Sequence, residues 1–499
     1  MPCKGARRRC VPSARTKAAG FALVTGSLVA LSWGDHWSAE PDWAAFAALR
    51  SCSSTVVCSP LPLTGLGLSL PSPSAAVKAP AVGVGRDGTG SRAASLNLAK
   101  NLVGSGILSL PAGVAAFSAS REALGPALLL LVVAALLSAY GFFLIGRVCE
   151  ETRTTTFGGA WEQSIGRGAW VPRLTCLLEC LGGSIVYAMV LGDVFSSLLH
   201  SIGGLPPFLC ARSSVICLIA SVLLFPLCCL RTFGQLAKFS ALGTLASSFV
   251  VLFVVKRFVD GTYGLHGRFQ HSLTTSTLVS AGGVLSPRVL ILASILSTAF
   301  LVHFNAPQMY AELKPRKQLD DAQEEAAAKQ KRFGAVALAG FSMATVQYAL
   351  VMVFGFLTFG HAAEGNVLLN YSTSDSWAVA ARIAIGISTL FGYPMQFAGL
   401  RSGLLEALGR QQPLSTGLHR LLTAGLLFMV VCVSCTLRDL GKFQAVEGAL
   451  LASFLIYIAP PMMAFKLGKG LARRTRYVLV MLFGVVVSVV GCVVTVLPP

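Results

Sequence analysis

From residue 94 to residue 497 the chain is written in apolar blocks of about twenty residues, the length an α-helix needs to cross roughly 30 Å of hydrocarbon. The blocks fall near residues 94–117, 124–147, 173–199, 213–230, 234–256, 287–311, 333–359, 377–400, 418–436, 443–466 and 475–497. The chain is therefore expected to be an all-α polytopic membrane protein with about eleven transmembrane helices. Only 12% of its 499 residues are charged, too few to surface the two or three soluble domains that this length would otherwise imply.

The formal net charge is +19, but the charges sit in the connections between blocks. That placement suits the anionic face of a membrane lipid leaflet and implies no nucleic-acid partner. Most of the fourteen cysteines, Cys176, Cys180, Cys217, Cys228, Cys229, Cys432 and Cys492 among them, lie inside apolar blocks without the polar partners that a metal site requires. They are expected to pack helices, and no metal or cofactor is expected. Lys and Arg are more frequent after the even-numbered blocks than after the odd ones, which places the start of the first span on the cytoplasmic side and the C-terminus outside or in a lumen. The sequon Asn370-Tyr371-Ser372 then falls on the outer side, making Asn370 a glycosylation candidate. In the inner connection, Asp320, Asp321, Glu324 and Glu325 are mixed with lysines and alanines and read as a solvated helix.

Residues 1–93 are rich in Ser, Pro, Gly and Ala and are expected to be a disordered extension ahead of a transmembrane domain at 94–499. Arg7, Arg8 and Arg9 followed by the apolar Ala18–Trp33 stretch leave two readings open, a targeting or anchor segment and a low-complexity extension that never inserts.

Two blocks are interrupted. The first carries Asn101 to Pro111, NLVGSGILSLP, with Gly104, Ser105 and Gly106 at the centre of the run. Glycine permits backbone angles that other residues resist, and Pro111 frees a carbonyl near Ile107. Such a break is tolerated at membrane depth only where it lines a protein cavity, and half-helix N-termini there can hold a carboxylate. Close helix packing is the alternative use of these small residues. The sixth block carries Ser297, Thr298, His303, Asn305 and Pro307 and ends in Tyr310-Ala311-Glu312-Leu313. His303 is either a proton-coupling group or a neutral imidazole satisfied by a neighbour. Glu312, at the cytoplasmic boundary, reads as a gate or ion-pair residue.

These residues carry a resemblance. NLVGSGILSLPAG resembles the first-span signature of the amino acid/auxin permease family, AFLVHFNAPQMYAEL its sixth-span motif, FGFLTFGHAAEGNVLLNYS its seventh-span end and GYPMQFAGLRSGL its eighth-span end. The likeness covers about residues 94–497 in order. It implies a leucine-transporter-like fold, in which spans one to five and six to ten are inverted repeats with spans one and six broken and one extra helix added. It also implies secondary transport of amino acids by alternating access.

By that resemblance Gly104, Ser105 and Gly106 hold the substrate carboxylate, and the amine and side chain meet groups around Ser297, Thr298 and Phe300. Ser388 and Thr389 stand where sodium-coupled relatives place an ion ligand. Several of those relatives carry an asparagine four residues before the first glycine; here that position is Lys100, with Asn101 next. A lysine ammonium can replace a bound cation, which favours H+ coupling or facilitated exchange over Na+, or it can snorkel to the cytoplasmic interface.

A sensor on the same scaffold, binding an amino acid without moving it, is the alternative function. An enzyme is not expected, because no His/Asp cluster lies near one interface. Asp193 in the third span is the main intramembrane carboxylate that the sequence offers, bordering the solute path or bonded to a neighbouring hydroxyl. The plasma membrane and a vacuolar or other endomembrane fit this topology equally.

Overall fold

The computed structural model describes residues 90–497 apart from 119, 203, 231–235, 265, 270–285, 314–321, 411–413 and 469–470. The N-terminal extension through residue 89, with its arginine run, and Asp320 and Asp321 lie outside the described residues.

Apolar blocks become helices wherever they were expected. In chain order these are α1 (Ser91–Leu102), α2 (Ser105–Ala115), α3 (Arg121–Thr152), the short α4 (Phe157–Ser164), α5 (Trp170–Ile202), α6 (Arg212–Cys228) and α7 (Leu236–Val259). There follow α8 (Val289–Ala299), α9 (Ala306–Glu312), α10 (Gln323–Ala362), α11 (Ser376–Ala407), α12 (Thr416–Thr436), α13 (Leu440–Leu467) and α14 (Arg473–Val496). By length and apolarity alone the described residues supply eight crossings, counting α8 and α9 together as Val289–Glu312, or nine when the bent pair α1–α2 is one span. The two other expected places are held by α6, which is shorter, and by α7. The first part of α10, from Gln323, is the helix expected of the mixed-charge connection that carries Glu324 and Glu325.

Burial separates a core from a lipid-facing rim. α5 is about three-quarters buried over its most apolar stretch, whereas α14 is 22% buried and presents Leu479, Leu482, Val486 and Val489 outward. A helix that is apolar all round and exposed on one side is what a bilayer stabilises. Against α5 pack α11, α6, α12 and α13; against α10 pack α1, α2, α3 and α7. The broken pairs α1–α2 and α8–α9 lie between these two groups, with α8 touching α2, α3, α13 and α14.

Helix ends are capped where the sequence supplies an acceptor. Asp375 receives the Trp377 amide, Asp439 the Lys442 amide, Ser415 the Leu418 amide and Thr156 the Gly159 amide. On the side expected to be lumenal, Asp375 also pairs with Arg257 at 2.5 Å and accepts the Tyr263 hydroxyl at 3.1 Å. Arg257 and Lys256 both reach Asp260. Partial burial raises the Asp260 pKa, but hydrogen bonds from Thr262, Lys256 and Arg257 outweigh this and lower it to about 2. Arg382, 1% exposed, donates to the carbonyls of Leu368 and Tyr371 at 2.8 and 2.6 Å, pinning the turn that precedes α11.

Candidate substrate site between two broken helices

The first break begins where α1 ends at Leu102. Val103 has φ −78° and ψ 80°, Gly104 has φ −112° and ψ −148°, and Ser105–Ser109 continues as a tight 3-10 segment before Pro111 sets the first turn of the next α-helix. The two arms diverge by 47°. Neither Gly104 nor Gly106 adopts a positive φ, so the angles peculiar to glycine are not used here. At Gly106 space is the reason instead, whereas a side chain at Gly104 would make only an ordinary contact. A Cβ on Gly106 would stand 3.1 Å from the Cα of Ala299, and one on Gly104 would stand 3.5 Å from the Tyr187 hydroxyl. The amides of Ser105 and Gly106 open the 3-10 segment and have no acceptor within it, which is the N-terminal donor arrangement suited to a carboxylate.

The second break follows Ala299, where Gly106 makes its contact. Phe300 and Leu301 turn back on the end of α8 through bonds to the Leu296 and Thr298 carbonyls, Val302 has φ −147° and ψ 9°, and His303–Asn305 forms a short 3-10 turn before α9. The breaks in the first and sixth expected spans thus meet directly. One side chain joins them: the Tyr348 hydroxyl of α10 lies 2.6 Å from the Leu102 carbonyl and 2.7 Å from the Ala299 carbonyl. Ser247 of α7 donates to the Val103 carbonyl at 3.4 Å. The Val103 carbonyl, and the Leu102 and Ala299 carbonyls one at a time, are therefore answered by protein donors.

The residues expected to form the site are not all free to serve it. Ser105 is buried at the first break. The Ser297 hydroxyl bonds the Ala293 carbonyl at 2.8 Å within its own helix and approaches Tyr457, and the Thr298 hydroxyl donates to the Gln444 carbonyl of α13 at 2.8 Å. Phe300 is fully buried against Tyr348 and Phe341. At this break these side chains hold the fold. His303 is 0% exposed, with its Nε2 2.9 Å from the Ser138 carbonyl and its ring edge-on to Phe142 and Phe341. A carbonyl can only accept, so Nε2 carries the proton, an arrangement that fits the neutral, packed imidazole. Asn305 stands at the N-cap position of α9 without a side-chain capping bond, and Glu312 is half-buried and accepts from Gln308 at 2.8 Å.

Lys100 and Ser388 come together over Gly243 of α7. A Cβ there would stand 3.2 Å from Ser388 Oγ and 3.9 Å from Lys100 Cε, and Ser388 donates to the Gly243 carbonyl at 3.3 Å. The lysine stem thus runs to the junction of α7 and α11. Thr389 is buried beside it in sequence, and Asn101 is on the exposed side of α1. Asn370 uses both ends of its amide within its loop, donating to the Ala362 carbonyl at 2.8 Å and accepting the Glu364 amide at 2.9 Å.

Asp193 does not stand alone. Arg212 of α6 meets it at 2.5 Å and also donates to the Ser434 and Leu437 carbonyls at the end of α12. Its partner is a guanidinium, not a hydroxyl, because the short connection after α5 folds α6 back alongside it. Sequence reasoning also passed over Tyr348, Tyr187, Gln444, Glu179 and Glu447. Tyr348 and Tyr187 look like ordinary core aromatics. The two glutamates were visible as carboxylates within apolar blocks, a costly placement that was itself the signal.

The comparisons with known proteins bear on the family and the fold. The family model described as "Transmembrane amino acid transporter protein" matches residues 87–497. "Amino acid transporter AVT6E" of Arabidopsis thaliana is 28% identical, with 81% of this chain and 83% of that protein covered. "Vacuolar amino acid transporter 5" of Schizosaccharomyces pombe is 25% identical, with 73% and 81% covered. Among solved structures, the manganese transporter of Eremococcus coleocola superposes with a TM-score of 0.52 at 17% identity, covering 80% of this chain and 85% of that one, a likeness of fold alone. With its helices, its paired breaks and this match over the whole helical region, the chain is a multi-pass membrane protein that belongs to the transmembrane amino acid transporter family.

Proposed function

We propose that the protein is a secondary transporter that moves amino acids by alternating access, coupled to protons or to exchange rather than to sodium, in a vacuolar or related endomembrane. The contact of Gly106 with Ala299 carries this reading, since it sets the donor amides of the first break against the carbonyl end of α8. The Ser105 and Gly106 amides receive the substrate carboxylate, and carbonyls near Ala299 and Phe300 receive its ammonium. Such a site, between a bundle centred on α5 and α11 and one centred on α3 and α10, is where rocking of one group against the other changes access.

Lys100 supports independence from sodium. Its stem lies beside Ser388, where the family pattern puts an ion ligand, and its ammonium supplies there the positive charge a bound cation would bring. The name of the fission-yeast relative supports the membrane address, and the distribution of Lys and Arg supports a cytoplasmic start for α1 and a lumenal C-terminus.

The test is uptake of a radiolabelled panel of amino acids into proteoliposomes. Replacement of sodium by choline is expected to leave uptake intact; abolition by that swap would sink the sodium-independent reading. A ligand that stabilises the protein but never crosses would replace transport with sensing.

A further inference from the structure

Two glutamates on different helices meet in the interior beside the breaks. Glu179 of α5 and Glu447 of α13 are 6% and 4% exposed. The Glu447 carboxylate presses against Gly182, one turn along α5 from Glu179 and on the same face of that helix, where any side chain would displace it. Oε2 of Glu179 and both carboxylate oxygens of Glu447 have no hydrogen-bond partner among the described residues.

No cation answers this pair among the described residues. Arg212 is held by Asp193, Arg173 by Glu162 and Glu406, and Arg401 of α11 donates to the Cys228 carbonyl and to Thr423. The other groups around it are the thiols of Cys176 and Cys180 on α5, the Gln396 amide of α11 against Gly183, and the Ser294 carbonyl and Thr298 hydroxyl of α8 against Gly448. No cluster of three metal-ligating side chains occurs among the described residues. Two carboxylates so placed cannot both be ionised in a low dielectric, so the pair holds at least one proton. A packing role does not account for it: an acid pair kept for structure would satisfy its oxygens, and apolar side chains would fill the space at lower cost.

The pair is also wired to the substrate site. One turn before Glu447, Gln444 accepts the Ser109 hydroxyl from the first break through its side chain and the Thr298 hydroxyl from α8 through its carbonyl. Directly after Glu447, Gly448 lies against the Ser294 carbonyl and opens a π-helical turn, Gly448–Ala452, with a second at Phe454–Ile458. Such wide turns occur mostly at functional positions within helices.

We infer that Glu179 and Glu447 form the proton-binding site of the carrier, taking up one proton when the site opens to the acidic compartment and releasing it to water when the site opens to the other. This deepens the transport reading and rests on it. The resident proton is shared between the two facing carboxyl groups; loading forms one further O–H bond on a carboxylate oxygen as an O–H bond of hydronium breaks, and release to water reverses this. The empty pair keeps one proton and a single negative charge; the loaded pair holds two, is neutral and crosses with the amino acid, so the gradient drives accumulation.

The test uses the full chain in proteoliposomes and a radiolabelled mixture of the twenty protein amino acids. One proton per amino acid across about one pH unit supports about tenfold accumulation. Wild-type protein is expected to reach that level. Glu179→Gln and Glu447→Gln are expected to lose the accumulation while still exchanging internal for external label, and Glu447→Asp is expected to restore part of it. Persistent exchange shows that the glutamine variants are folded.

Several results would overturn the assignment: full accumulation in the double glutamine variant, a wild type that exchanges but ignores the pH gradient, or loss confined to lysine and arginine in the mixture, which would make the pair a contact for cationic side chains. Glutamine and aspartate variants that all fail to exchange would overturn it as well. A wild type with no exchange at all would instead remove the transport reading beneath it.

Discussion

The two breaks touch, yet they are built differently. At the first, the arms part by 47° and the opening amides of the 3-10 segment point to no acceptor within it. At the second, the chain deviates less, Val289–Glu312 still passes as one span, and the neighbouring hydroxyls of Ser297 and Thr298 are already bonded. In the proposed reading a substrate would meet donors at the first break and backbone carbonyls at the second. The contrast fits the proposal that α1–α2 recognises the carboxylate, with the Ser297 and Thr298 hydroxyls of α8 engaged in holding the helix.

The largest effect expected is from closing the contact itself. Gly106→Leu forces a side chain onto the Ala299 backbone; overpacking of this kind costs about 1–3 kcal/mol, and uptake is expected to fall by about a hundredfold. Near-normal uptake would remove the two-break site. Next comes Tyr348→Phe, which withdraws the donor common to both breaks and leaves buried carbonyls unanswered at about 1–3 kcal/mol. A lowered melting temperature together with about tenfold slower uptake is expected; unchanged stability would show the breaks to be held independently.

Thr298→Val tests the asymmetry. It deletes a bond worth about 1 kcal/mol to the Gln444 carbonyl, so stability should drop with little change in KM. A large rise in KM would make the Thr298 hydroxyl a substrate ligand after all. His303→Gln, which can still donate to the Ser138 carbonyl, is expected to leave the pH profile of uptake where it was, and a displaced profile would return His303 to the coupling machinery.

Acid sensitivity of the fold is expected from the network of Arg257, Asp260 and Asp375 rather than from either break. The Asp260 pKa is lowered in the folded state, so its contribution is present above the ordinary aspartate value near 4 and is lost as pH falls toward about 2. Comparing Asp260→Asn with wild type across that range should show the small difference vanish at the acid end. A difference that persists there would mean that the network's ionisation is not its source.

The breaks were legible in the sequence because their causes are local. Gly104 and Gly106 followed by Pro111, and Asn305 followed by Pro307, are clustered weak points for a helix that can be read locally, whereas Gly182 and Pro394 stand inside unbroken helices. What the breaks face was not legible. Tyr348 reads as one more aromatic in an apolar block, and only the rotation of α10 aims its hydroxyl at Leu102 and Ala299. Ser297 and Thr298 have the right chemistry for a substrate, yet the approach of α13 takes one hydroxyl and the turn of α8 the other. Asp193 looked isolated because Arg212 was counted with a connection. Glu179 and Glu447 are separated by most of the chain, so their meeting depends on helix order that no local pattern carries.

The position of Tyr348 has one more consequence. A phenol owns a single hydrogen, and here two oxygens from opposite broken helices lie within its reach. Whichever it serves, the other is left under-satisfied, so the ground state is frustrated by construction. Rotation about one C–O bond exchanges the roles, and a small bias from a nearby solute can tip the balance. A carrier must have two arrangements of nearly equal energy, and this hydroxyl offers a local source of that degeneracy.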